Sequence, residues 1–148
     1  MYQWIFKRQI RQAFRQLSTG DYDRVLTVFA PDVHFIFAGD HTLVIDTHDR
    51  QAVRTWFANW RRLFPTMQIR PVKIYVAGPP WDAVVTTQFQ VTETLPNGSV
   101  YENNGVQIVR IRLGKVHYDY LIEDTLLLQQ ALDAIKFQSV AAESEPAL

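Results

Sequence analysis

The sequence of 148 residues contains no cysteine, and its 15 basic residues balance its 15 acidic residues. The lack of cysteine excludes a disulfide framework, a thiol nucleophile and a thiolate metal site. Like charges form no long block, and such blocks are typical of proteins that bind nucleic acid. We therefore expect no nucleic-acid partner.

Long apolar runs are also absent, since no segment approaches the ~18 residues of a membrane-spanning helix. Lys7, Arg8 and Arg11 interrupt the region where a signal peptide would be apolar. We therefore expect a cytoplasmic protein with no membrane partner. Its length suits one domain, and 47% hydrophobic with 20% charged residues is an ordinary globular composition.

Apolar residues recur at helical spacing in the first half of the chain. Gly20, Pro31 and Pro65 follow three such segments as terminators, and Thr47 or Asp49 can cap the third. The predicted helices are residues 3 to 17, 22 to 29 and 50 to 63. A fourth is predicted from Thr125 to Phe137.

The period changes to two in the second half, where β-branched residues predict long strands. Short connections at 78 to 81, 95 to 99 and 112 to 115 force antiparallel hairpins. The predicted strands are residues 33 to 37, 68 to 77, 83 to 94, 99 to 112 and 115 to 123, with a short strand in residues 39 to 46.

This order of elements predicts an α+β fold. We expect a curved, barrel-like mixed or antiparallel sheet packed on three N-terminal helices, with a C-terminal helix. Residues 1 to 137 would form a single domain, and residues 138 to 148 a flexible C-terminal tail. A sheet that curls around helices can enclose a pocket.

Three phrases occur in order: GDYDRVLTVFAPDVHF, DRQAVRTWFANWRRLFP and NGSVYENNGVQIVRIRLGKVHYDYLIEDTLLL. Over residues 3 to 133 the chain resembles the SnoaL-like family of the nuclear-transport-factor-like superfamily, whose fold is a cone-shaped α+β domain. The resemblance implies a conical pocket and usually a homodimer packed through the sheet. It does not define the activity, because this superfamily contains several kinds of enzyme and also non-catalytic binders.

This sequence lacks the catalytic residues of two enzyme classes of the superfamily. The tyrosine and two aspartates of ketosteroid isomerases fall on Ala13, Phe37 and the neighbourhood of Gln107. Limonene-epoxide hydrolases use an Asp-Arg-Asp set, and the strand TTQFQVTE offers no arginine. The polyketide cyclases of the family are more similar, since they use an aspartate at the position of Asp124; His34 or His117 would be its histidine partner.

Asp124 lies between a strand pattern and a helix pattern, and two interpretations stay open. Strand alternation places it with Tyr118 and Tyr120 on a face that we expect to line the cavity, where it would serve as acid or base. Alternatively, Asp124 only caps the last helix. A carboxylate turned to the helix amides would favour a binding module, and a free one an enzyme.

Other polar residues are candidates for the same site. Asn103 and Asn104 interrupt a strand, which indicates either a β-bulge at Asn-Asn-Gly105 or a polar anchor. Tyr120, Asn104 or Gln107 would orient a substrate oxygen. Asp40 could reach the cavity rim, although beside Gly39 it is typical of a turn.

Aromatic residues supply the expected pocket wall. The candidates are Phe35, Phe37, Trp56, Trp60, Phe89 and Tyr118. Trp56 and Trp60 could equally belong to the core. His34, His41, His48 and the aspartates near them show no metal-ligand spacing, so we expect neither metal nor cofactor.

Two functions follow from these candidates. The first is a cofactor-free SnoaL-like enzyme of cyclase, isomerase or hydrolase type, which transfers protons at Asp124 on a small, hydrophobic, oxygenated molecule. The second is a non-catalytic ligand-binding or dimerisation module of the same fold.

Overall fold

The computed structural model describes the backbone of residues 1–144 and the side chains of residues 1–136. It confirms the α+β class. The elements in chain order are α1 (Gln3–Ser18), α2 (Tyr22–Leu26), β1 (Phe29–Ala38), β2 (Ile45–Thr47), α3 (Arg50–Leu63), β3 (Gln68–Ala77), β4 (Asp82–Thr94), β5 (Val100–Arg112), β6 (Lys115–Glu123) and α4 (Thr125–Ser144).

All six strands form one sheet in the order β2-β1-β6-β5-β4-β3. The pair β1 and β6 is parallel, and every other neighbouring pair is antiparallel. The sheet is curved but not closed, as in the cone fold. Its inner face packs on the helices, where Phe14 of α1, Phe57 of α3 and Phe89 of β4 belong to one buried cluster.

The short connections lie where the sequence predicts them. The strands β3 and β4 are separated by residues 78–81, β4 and β5 by 95–99, and β5 and β6 by 113–114. In the last turn Leu113 and Gly114 both have positive φ, of 48° and 79°, which matches the twist of a two-residue hairpin. The helix α3 begins after Asp49, whose side chain accepts a hydrogen bond from the Gln51 amide at 2.9 Å.

Three boundaries differ from the prediction. The helix α2 ends at Leu26, and Pro31 lies inside β1 instead of ending the helix. Proline, which lacks an amide hydrogen, is tolerated there because the pairing of β1 with β6 shifts register between Phe29 and His34. The helix α4 continues to Ser144, past the predicted end at Phe137, and residues 145–148 of the predicted tail lie outside the described residues.

A second register shift determines which residues of β6 face the helices. Arg110 of β5 pairs with Tyr118, but the next residue, Ile111, pairs with Val116, so His117 is an extra residue in β6. Strand alternation is therefore interrupted, and Val116 and Asp119 both line the inner side. The register between β4 and β5 is unbroken from Asp82 to Thr94, so of the two alternatives for Asn103 and Asn104 the β-bulge at Asn103–Gly105 is wrong.

None of the helices within residues 1–144 combines the length and the apolar character needed to cross a membrane.

Candidate active site

A cavity of about 400 Å³ lies between the inner face of the sheet and the helices. Seven aromatic residues contribute to its wall: Phe14, Phe29, Phe37, Trp56, Phe57, Trp60 and Phe89. The exposed residues Gln9, Gln12 and Arg24 also belong to the lining, so the cavity opens beside α1 and α2. Its volume lies in the range of sites for small organic ligands.

Gly105 allows the aromatic wall to approach the sheet. It lies opposite Phe89 on the neighbouring strand. A Cβ atom at this position would overlap the Phe89 ring and lie 2.6 Å from the carbonyl oxygen of Ile122. Glycine is therefore required here for close packing.

Asp119 is the most buried acidic residue of the cavity wall. Its side chain lies on β6, and only 3% of the residue is exposed. Its Oδ1 accepts a hydrogen bond from Gln107 Nε2 at 3.0 Å. Burial raises the pKa of Asp119 to about 7, and the hydrogen bond from Gln107 opposes this rise only in part.

Glu123 is a second buried carboxyl of the lining, at the end of β6. The Tyr101 hydroxyl donates to Glu123 Oε1 at 3.2 Å, and Asn103 Nδ2 donates to the same hydroxyl at 2.6 Å. Burial raises the pKa of Glu123 to about 7, against the effect of the Tyr101 hydrogen bond. Burial and the nearby Glu123 also raise the pKa of Tyr101 far above its ordinary value, so its hydroxyl stays protonated.

Asp124 lies outside this cavity. It is exposed, and its Oδ1 accepts hydrogen bonds from the amides of Leu126 and Leu127 at 3.1 and 3.3 Å. These are the contacts of an N-cap on α4. The capping interpretation is confirmed, whereas the expectation that the Asp124 face of the strand lines the cavity is wrong.

The structure also places Tyr118 and Tyr120 on the outer face of the sheet, whereas strand alternation in the sequence predicts the inner face. Because His117 is an extra residue, alternation counted through Val116 assigns the inner face to the tyrosines, whereas Asp119 and Glu123 occupy it. Tyr118 instead lies against His34, with ring centroids 5.6 Å apart. Asn104 is exposed, and its neighbour Asn103 points inward.

The predicted aromatic wall is largely present. Phe37, Trp56, Trp60 and Phe89 line the cavity, and so does Gln107. Phe35 is fully buried behind this wall, with its ring 5.4 Å from Trp56 and 5.7 Å from Phe57. Asp40 is exposed in the bend after β1 and does not belong to the lining.

The two histidines considered as partners also lie outside the lining. His34 Nε2 lies 2.7 Å from Asp46 Oδ1, and its ring stacks on His48 at 4.1 Å between centroids. His117 is the extra residue of β6. Among the residues whose side chains are described, no three histidine, aspartate or glutamate residues form a group able to hold a metal ion.

Asp119 and Glu123 are the functional candidates that the sequence analysis missed. Carboxylates usually face solvent, so a strand with two of them on one side suggests that this side is exposed. A usable signal was the neighbouring strand, where Tyr101, Asn103 and Gln107 alternate on one face. Buried polar residues of this kind require polar partners on the next strand.

Residues 10–118 match the family profile described as the SnoaL-like domain. Comparison with curated protein sequences gives no significant match.

Solved structures share the fold at low sequence identity. IdmH from Streptomyces antibioticus, a proposed polyketide cyclase, superposes with a TM-score of 0.71 and 19% identity over 86% of this chain and 97% of its own. A proposed SnoaL-like polyketide cyclase from Jannaschia sp. CCS1 gives 0.69 and 16% over 86% and 90%. A protein of unknown function from Burkholderia pseudomallei gives 0.69 and 20% over 84% and 95%. These likenesses support the fold alone, and the profile match shows that the chain belongs to the SnoaL-like domain family.

Proposed function

We propose that this protein is a cofactor-free enzyme that transfers protons on a hydrophobic, oxygenated small molecule, with Asp119 as acid and base. One observation carries the proposal: a carboxyl that is 3% exposed and has a pKa raised to about 7 lies on the wall of an aromatic cavity. A strongly perturbed carboxyl in a cleft is a physical mark of a functional site.

A pKa near the working pH suits both halves of a proton transfer. At neutral pH a large share of Asp119 is ionised and can remove a proton from a bound substrate, and the resulting acid can return the proton to another atom. The aromatic wall keeps water from the carboxylate, which increases its basicity. Gln107 Nε2, at 3.0 Å from Oδ1, fixes the direction of the carboxyl group.

We assign Glu123 a different role from that of Asp119. The two residues are four positions apart on one strand, which corresponds to roughly 13 Å between their Cα atoms. This spacing does not favour a shared proton of the kind found in carboxyl dyads. Glu123 Oε1 also belongs to the network of Tyr101 and Asn103 at the strand end, so we assign the proton transfer to Asp119.

The likeness to proposed polyketide cyclases supports a ring closure or isomerisation as the reaction type. A non-catalytic binding module is the second candidate, because Asp124 is turned to the helix amides. Asp119, however, places a buried carboxyl of raised pKa on the cavity wall. We expect an enzyme.

A homodimer through the outer face of the sheet belongs to the same proposal. Five residues with side chains on this face follow one another across the register of five strands: Ile36, Tyr120, Ile108, Thr86 and Tyr75. Four of these are apolar or aromatic, and Tyr75 is 54% exposed. The other four residues are partly exposed, and a largely apolar row of this kind supports association of two copies.

The proposal can be tested before the natural substrate is known, with nitrobenzisoxazole as a probe. A carboxylate removes the proton from its ring carbon, the ring N–O bond breaks, and the electron pair stays on oxygen as a coloured cyanophenolate. We expect wild-type turnover to exceed that of free acetate, and Asp119→Asn to lower it about a hundredfold.

Asp124→Asn is the matched carboxyl control. Asp124→Asn should leave the rate unchanged, because this side chain lies outside the cavity lining. Equal turnover of the wild type and Asp119→Asn would contradict the proposal. Binding of the probe without turnover would favour the binding module.

A further inference from the structure

Two buried side-chain oxygens lack a hydrogen-bond partner among the residues whose side chains are described: Thr87 Oγ1 and Gln107 Oε1. Unpaired polar atoms are costly inside a protein, so each such atom requires an explanation. These two residues lie directly opposite each other on β4 and β5. The two unpaired atoms therefore mark one place on the inner face of the sheet.

Of the two residues, only Gln107 lines the cavity. It is 8% exposed, so its side chain is almost entirely enclosed by protein. Its Nε2 donates to Asp119 Oδ1 at 3.0 Å. When Asp119 is ionised, its carboxylate only accepts hydrogen bonds, so in this state the amide turns its NH2 group to Asp119 and keeps its carbonyl oxygen free.

We propose that Gln107 is a specificity-determining residue, whose Oε1 accepts a hydrogen bond from an O–H or N–H donor of the ligand. The inference deepens the proposed function, and it rests on that function only in placing the ligand in this cavity. A site built around an acceptor rejects an analogue that lacks the donor, because the acceptor then stays buried and unpaired.

The charges of the lining disfavour anionic ligands. Asp119 and Glu123 are its buried ionisable residues, and Arg24, its cation among the described residues, is exposed at the opening. A ligand carboxylate in the interior would face Asp119 without a buried positive charge to balance it. The cavity should therefore select neutral aromatic molecules that carry a hydroxyl or amine donor.

Three probes with the same ring system test this selection: naphthol, its methyl ether and naphthoate, each substituted at the same ring carbon. Naphthol has the donor, the ether has only an acceptor, and naphthoate is an anion. Titration calorimetry of the wild-type protein should give the tightest binding for naphthol. We expect the ether to bind about tenfold more weakly and naphthoate more weakly still.

Gln107→Met tests the residue itself, because methionine retains the length and the apolar stem but removes the acceptor. In this variant the preference for naphthol over the ether should fall to about one, while affinity for the ether stays within about twofold of wild type. Gln88→Met is the matched control, since Gln88 is an exposed residue on the neighbouring strand. It should preserve the preference. Gln107→Asn is a second variant that shortens the side chain and should also reduce it.

Equal affinities of the wild type for naphthol and the ether would overturn the inference, and so would an unchanged preference in Gln107→Met. Failure of all three probes to bind would overturn it as well. The wild-type comparison does not depend on the folding of any variant. Because the readout is binding and not turnover, loss of the donor preference is distinguishable from failure of the proposed proton transfer at Asp119.

Discussion

Gln107 and Asp119 meet across the inner face of the sheet, where Gln107 Nε2 donates to Asp119 Oδ1 at 3.0 Å. The contact is diagonal, because Asp119 pairs with Val109 and Gln107 pairs with Leu121 in the register of β5 and β6. It joins an amide with a free carbonyl oxygen to a carboxyl of raised pKa. In the proposed function, ligand recognition and proton transfer therefore belong to two side chains that contact each other.

The first prediction concerns Asp124 as a helix cap. Asp124→Ala removes the acceptor for the amides of Leu126 and Leu127, and should lower the free energy of unfolding by about 1 kcal/mol. Urea denaturation measures this change. Asp124→Asn should have little effect, since asparagine caps helices as well as aspartate does. A large loss of nitrobenzisoxazole turnover in folded Asp124→Asn would instead return the acid or base role to Asp124.

The second prediction concerns stability and pH. The pKa of Asp119 is about 7 in the folded protein, against an ordinary value of 3.8. The folded state therefore holds this proton more tightly than the unfolded state, and the contribution of Asp119 to stability is greatest at low pH. As pH rises from about 4 to about 7, this contribution of Asp119 to the free energy of unfolding is lost, and the loss amounts to up to about 4 kcal/mol.

Asp119→Asn separates this effect from the titration of other groups. One of these is Glu123, whose pKa is also raised by burial. The variant should match the wild type in free energy of unfolding near about pH 4 and exceed it near about pH 8. Urea denaturation across this range gives the difference. A difference that does not depend on pH would show that Asp119 titrates alike in both states.

The third prediction concerns the proposed homodimer. Ile108→Lys places a charge within the row of Ile36, Tyr120 and Tyr75 on the outer face, where burial of an unpaired ammonium group would be costly. Sedimentation velocity should show a dimer for the wild type and a monomer for this variant. Glu102→Lys changes an exposed residue on the same strand outside the row and should stay dimeric. A monomeric wild type would contradict this interface.

Local signals in the sequence predicted most of the fold. The hairpin connections, the terminator Gly20 and the cap Asp49 each depend on backbone chemistry within a few residues, and each lies where it was expected. Pro31 was assigned to a helix end because the register shift that accommodates it in β1 depends on a distant strand. Pairing between strands is not visible in a local pattern.

The candidate site was predicted only in part, for a related reason. The aromatic wall follows from burial of large apolar side chains, and Phe37, Trp56, Trp60 and Phe89 lie on it. The polar residues depend on which face of β6 points inward, and the extra residue His117 reverses that count. Alternation therefore selected Tyr118, Tyr120 and Asp124 in place of Asp119 and Glu123.

The pKa of Asp119 is the most direct test of the proposed function. Carboxyl-detected NMR titration of the wild type, with Asp119→Asn to assign the resonance, measures it without a substrate. We predict a value near about 7, as burial on the cavity wall requires. A value at or below the ordinary 3.8 would show a carboxylate held ionised, and would contradict Asp119 as the acid and base of this cavity.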